Sequence, residues 1–371
     1  MDKLRFVFVL TVPLAICAQT LSADTFSQTN LVSNISGKAS FTDPNLKDPW
    51  GMSFSPTSPI WVSDRAAGVS TLYNGIGAPQ GGPLVVTVPP GTPATGPTGQ
   101  VFAGGTNFRL NGSPVNFIFD TLGGTIDAWN GSAGTTAVVM ATTPGANYTG
   151  LALANNTLYA ANFSAGGGIN VFDSTFGSTT VPGKFTDPNI PSGYAPFNIQ
   201  NINGTLYVEY AKVTAGVPVA LPGGGGYVDQ FDTNGNLLRR LVSNGPLDGP
   251  WGVAAVPATG FNTLTAGDIL VGNFANGEIN AFDANGNFLQ TLRDAQGNPL
   301  VNEGLWAIAF DPGVPGSTNP NALYFNAGIN QGNDGLFGKI DAIPEPAAWS
   351  LAALGLVGLG ALRRSRRSNR G

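Results

Sequence analysis

The chain of 371 residues contains no histidine and a single cysteine. Without an imidazole there is no Ser-His-Asp triad, no histidine metal ligand and no HExxH zinc helix. The lone Cys17 lies in an apolar N-terminal run, so removal of that run leaves neither a disulfide nor a thiol nucleophile. Charge is scarce too. Only 11% of residues are Asp, Glu, Lys or Arg, and no basic patch stands between the two ends to displace counterions from a nucleic acid. The glycine run Gly223–Gly226 opens no helix after a strand, which removes the phosphate-cradle reading.

Turn formers are what the chain has in plenty. Its 52 glycines and 28 prolines make up about a fifth of the residues and punctuate short apolar runs, the composition of an all-β protein. Between Asp24 and Pro346 there are 10 basic against 21 acidic residues. A surface of that sign suits cations, or neutral polysaccharide hydroxyls.

The two ends carry addresses. Lys3 and Arg5 precede the apolar run Phe6 to Ala18, and Leu21-Ser22-Ala23 offers a small residue before a cut, so residues 1–23 read as a secretory signal peptide cleaved after Ala23. At the other end Pro344-Glu345-Pro346 is followed by the uncharged run Ala347 to Leu362 and then by Arg363, Arg364, Arg366 and Arg367. That run falls short of the ~20 residues that span a bilayer comfortably, and the arginines favour the cytoplasmic side. It can hold the C-terminus in the membrane transiently. This order resembles the PEP-CTERM sorting signal of Gram-negative bacteria that make extracellular polysaccharide. The resemblance implies an exosortase partner in the inner membrane, cleavage near the Pro-Glu-Pro, and release toward the cell surface.

The middle repeats. Apolar runs ending in Asp or Asn, once in Glu, recur at Ile60–Asp64, Phe117–Asp120, Leu158–Asn162, Leu206–Glu209, Ile269–Asn273 and Leu323–Asn326, each followed after a glycine by a second run. An apolar strand precedes them, clearest at Trp50-Gly51-Met52, Leu151–Leu153, Trp251-Gly252-Val253 and Trp306-Ala307-Ile308, and the pentamer Phe41–Asn45 returns as Phe185–Asn189 three repeats later. Six units of four short strands predict a single six-bladed β-propeller over residues 24–343. Fourth, outer strands are expected at Leu84–Val88, Thr135–Met140, Ser178–Val181, Leu237–Val242 and Phe288–Leu292. The sixth unit lacks one before the chain enters its tail, and Thr29–Val32 is the natural strand to cover that edge. The unit resembles the NHL repeat, and the chain as a whole is similar to a family of exported propellers with PEP-CTERM tails, which implies localisation and fold rather than chemistry.

One constellation could carry chemistry. In a propeller, the loop entering the inner strand and the loop leaving the second strand share one face. Asp48, Asp248 and Glu303 precede inner-strand tryptophans, while Asp64, Asp120, Asn162 and Asn273 follow second strands. A ring of carboxylates there would suit a hard divalent cation, Ca²⁺ or Mg²⁺; the competing reading makes these acids turn caps. Asp232–Asn236 and Asp283–Asn287 read as hairpin turns rather than EF-hand loops, because glycine stands fourth. Tyr148, Tyr194 and Tyr210 are candidate sugar-stacking surfaces, whereas Trp61 and Trp129 read as packing between blades. Three functions fit: a non-catalytic surface or matrix protein that binds exopolysaccharide or envelope components, a divalent-metal hydrolase of the lactonase kind, or a structural scaffold.

Overall fold

The computed structural model describes residues 25–343, apart from the single positions 81, 83, 93, 216, 218, 263, 312 and 318. The signal segment with Ala23, and the tail with Pro344, Glu345, Pro346, Arg363, Arg364, Arg366 and Arg367, lie outside the described residues.

Six sheets of four strands or more make the six expected blades, antiparallel throughout except where Phe41–Thr42 runs parallel to Val32 and Ser33 at the edge of the sixth. The inner strands are Pro49–Ser53, Pro97–Phe102, Tyr148–Ala154, Tyr194–Ile202, Pro250–Ala255 and Leu305–Phe310. Outer strands occur in blades one to five as expected, shortened in blade one to Val86–Thr87 and in blade three to Ser178–Thr179, and shifted in blade two to Val138–Thr142. The sixth blade is completed by the N-terminal strand Thr25–Ser33, which runs antiparallel to Leu336–Ile343 from Thr25↔Ile343 to Ser33↔Leu336. It thereby covers the edge that would otherwise offer unpaired amides and carbonyls to another chain.

Each blade is apolar on both faces because each is sandwiched between two others. The strands therefore read as continuous apolar runs, such as Leu158-Tyr159-Ala160-Ala161, without polar alternation. Trp61 stacks on Phe117 with ring centroids 4.1 Å apart and lies 4.8 Å from Trp129, filling the seam between blades one and two. Phe26 of the closing strand enters the seam between blades five and six, 4.8 Å from Phe261. The expected hairpin turns form by the same means in two blades: the Asp232 carboxylate accepts from the amides of Asn234 and Asn236, and Asp283 does so from Asn285 and Asn287.

Around the axis the inner strands come very close. An added Cβ at Gly99 would stand 2.5 Å from the Leu151 nitrogen, and one at Gly252 would stand 2.5 Å from the Trp306 carbonyl oxygen. Glycine at these places is what lets neighbouring inner strands approach to backbone contact.

Candidate functional site

Every inner strand carries a register shift at the same place. Pro49, Pro97, Tyr148, Pro196, Pro250 and Leu305 each pair with the last residues of their second strand, and the ladder then skips. The residues that follow them are Trp50, Thr98, Thr149, Phe197, Trp251 and Trp306. A bulge re-aims a side chain, and here four of the six are aromatic and gather in one cluster on the axis. Trp50 stacks on Trp306 at 3.5 Å, Trp251 meets Trp306 edge-on at 5.6 Å, and Phe197 approaches it at 5.7 Å. The Trp251 indole also donates to the Thr149 carbonyl two blades away, at 2.8 Å. The inner-strand tryptophans Trp50, Trp251 and Trp306 thus plug the channel, while Trp61 and Trp129 pack between blades as expected.

The plug separates two cavities. One, of about 320 Å³, is lined by inner strands and by the amides Gln100, Asn198 and Gln200. The other, of about 460 Å³, opens on the face where inner strands begin and second strands end, which is the mouth expected from the sequence. Its lining is mainly apolar: Trp50 and Trp306, Phe274, Leu122, and a wall from Val219 to Pro222. Phe274 lies 4.1 Å from Trp306. Asp48, Arg65, Glu303 and Gln331 supply the polar groups.

The structure does not gather the five expected carboxylates. Asp48 is buried and accepts from the indoles of Trp50, at 2.8 Å, and Trp306, at 3.3 Å, while Arg65 closes an ion pair with it. Burial pushes its pKa up, although Arg65 and the two indoles pull the other way. Asp64 is fully buried and takes the Thr71 hydroxyl at 2.7 Å; burial raises its pKa well above the carboxylate range. Asp120, also fully buried, takes the Thr98 hydroxyl at 2.7 Å and the Gly99 amide, and burial pushes it up to about 7. Asp248 holds the Gly223 amide at 2.9 Å, and Glu303 holds the Gln331 amide at 2.9 Å. Only Asp48 and Glu303 line the pocket. Among the described residues no three acidic side chains stand together as a ligand set. The physical reason is local: short donors within each carboxylate's own blade or the adjoining loop capture it before the mouth can.

The amides of the same ring are captured likewise, Asn162 by the Asn147 amide and Asn273 by the Pro246 carbonyl. Of the tyrosines, Tyr148 and Tyr210 are buried in seams between blades and present no surface, while Tyr194 is half-buried and bonds the Gly224 carbonyl. Sequence reasoning missed Phe274 and the Val219–Pro222 wall. Neither shares a motif across blades, so repeat alignment could not point to them.

Residues 342–367 match the PEP-CTERM protein-sorting motif. An uncharacterized protein of Acanthamoeba polyphaga mimivirus is 33% identical over 328 residues, covering 84% of this chain and 78% of its own length. A second from the same virus is 31% identical over 335 residues, covering 84% of each. The chain belongs to their family. Among solved structures it is similar to the virginiamycin B lyase of Staphylococcus aureus, with a TM-score of 0.52 at 14% identity over 86% of this chain and all of that one. That likeness concerns the propeller fold. The sorting motif is a substrate signal for exosortase processing, so this member of the family is an exported, sorted protein. Among the described residues no helix is long and apolar enough to cross a membrane.

Proposed function

We propose that this protein is a surface-sorted binding propeller: a non-catalytic module, delivered by exosortase, that engages a component of the envelope or exopolysaccharide through the pocket at its channel mouth. The observation that carries this reading is the makeup of that pocket. Among the described residues its lining contains no hydroxyl, thiol, amine or imidazole side chain, and Asp48 is already committed to Arg65 and two indoles. Such a cavity suits retention of a small ligand or terminal group, since binding pockets are concave, largely apolar and fitted with few polar groups. A divalent-metal hydrolase draws no support from carboxylates held apart in separate hydrogen bonds. Fold similarity to a lyase adds nothing to the choice, because one fold hosts many chemistries.

The test is fractionation and matrix co-sedimentation of the full chain. The protein should leave the inner membrane, reach the surface fraction and sediment with exopolysaccharide-bearing cell material. Glu345→Ala should hold it at the membrane. A wild-type protein retained in the inner membrane, or a surface protein that fails to sediment with matrix, overturns the proposal.

A further inference from the structure

We infer that the channel-mouth pocket selects an organic cation with an apolar body, an aryl-alkyl amine being the simplest case; this rests on the reading of that pocket as the ligand seat. The cavity of about 460 Å³ has room for a small organic group. Trp306 and Phe274, 4.1 Å apart, line it together with Leu122, Val219, Ala220 and Leu221, so the body of the ligand rests on apolar surface.

Charge sets the sign of the head group. Arg65 is the cation of the lining, and its ion pair with Asp48 sits on the floor. Glu303 stands exposed at the rim, and Asp248 adjoins the wall by holding Gly223, the residue after Pro222. The lining therefore carries one carboxylate, Glu303, beyond the Asp48–Arg65 pair; Asp248 lies behind the wall, where Lys212 also approaches the loop at Gly224. The field of the whole domain has the same sign, with 10 basic against 21 acidic residues between Asp24 and Pro346. Anions are repelled on approach, and a cation gains from Glu303 and from the half-buried ring of Phe274, the one pocket aromatic that is not fully buried.

Backbone strain marks the same place. Asp48 (φ 48), Asn330 (φ 53) and Gln331 (φ 59) all occupy the left-handed region, and Asp48 and Gln331 line the pocket. Non-glycine residues hold that conformation at a cost, and such residues concentrate at binding and catalytic sites. Here the strain has a product. It aims the Gln331 amide at Glu303, which fixes the carboxylate at the rim.

Three probes with one apolar body test the inference by calorimetry on the purified full chain: phenethylammonium, phenethyl alcohol and phenylacetate. The amine should bind about fivefold more tightly than the alcohol, as expected for one partly exposed ion pair, and the carboxylate most weakly. Glu303→Gln should weaken the amine selectively and so shrink its advantage over the alcohol. Phe274→Ala, and independently Leu221→Ala at an exposed wall position, should weaken amine and alcohol alike. Equal binding of amine and alcohol, unmoved by Glu303→Gln, overturns the charge selection while the pocket stands. Absence of binding by all three probes overturns the pocket itself.

Discussion

Thr25 pairs with Ile343 across the first rung of the closing ladder, so the two ends of the described chain are neighbours at one edge of one blade. The next rung joins Phe26 to Ala342, where the match to the sorting motif begins. The strand that shuts the ring is thus also the strand that adjoins the processing signal. Fold closure and export processing meet in the same few residues.

Removing the closing strand should unmake the ring. Deletion of residues 24–35 leaves Leu336–Ile343 as a bare edge and withdraws Phe26 from the seam it fills. Aggregation on light scattering and a lowered melting temperature are expected. Phe26→Ala alone should cost about 3 kcal/mol, the usual scale for emptying a buried phenylalanine site. A deleted protein that stays monomeric with an unchanged melting curve contradicts the role of the strand.

Processing should leave both addresses behind. Intact mass of the protein from the surface fraction should place its termini near Asp24 and Pro346. Arg363, Arg364, Arg366 and Arg367 should be absent from that fraction and present in precursor held at the membrane. Recovery of the arginine cluster at the surface would show that sorting proceeds without the cut.

The inner-strand glycines should tolerate nothing larger. Gly99→Ala would bring a methyl group to 2.5 Å from the Leu151 nitrogen, and Gly252→Ala would do the same at the Trp306 carbonyl oxygen. Both contacts are with backbone, which cannot rotate away, so each substitution should cost on the order of 1–3 kcal/mol by overpacking. Gly168→Ala meets nothing within 4 Å and serves as the control. Urea midpoints of the three variants make the comparison; equal midpoints would refute the close-approach argument.

Blade number and closure were legible because both depend on repetition. Asp-terminated second strands and an unpaired last edge are visible as patterns, and the ladder from Thr25 to Ser33 follows from the need to cover that edge. The face of the site was legible for the same reason. What escaped was side-chain direction. Asp64 and Asp120 stand at the expected ends of their strands, yet hydroxyls of Thr71 and Thr98 turn them inward. Trp306 was legible as an inner-strand residue, but not that the bulge after Leu305 swings it onto the axis. Bulges and short hydrogen bonds are decided by one or two residues, below the resolution of a repeat pattern.

The buried acids give the fold an unusual pH profile. Burial pushes Asp120 up to about 7 against its Thr98 and Gly99 donors, and pushes Asp127 up to about 7 against its Thr125 donor, with the nearby Asp120 charge adding to the rise. Unfolded, both would titrate near the ordinary aspartate value of about 3.9. The folded state therefore holds protons that the unfolded state has released, and stability falls as pH rises from about 4 through about 7. Turn aspartates act in the opposite direction. Amides and hydroxyls within their own turns hold Asp173, Asp283 and Asp294 below the usual range, so their contribution is present above about pH 4 and lost below it. Melting temperature should accordingly peak in mildly acidic solution rather than at neutrality. Asp120→Asn keeps an acceptor for Thr98 and Gly99 but cannot ionise, so it should flatten the decline between about pH 4 and 7. Asp283→Ala should alter only the acid side of the curve. A wild-type melting temperature that climbs steadily from pH 4 to 7, or an Asp120→Asn profile parallel to wild type, would mean that these carboxyls are ionised in the folded protein.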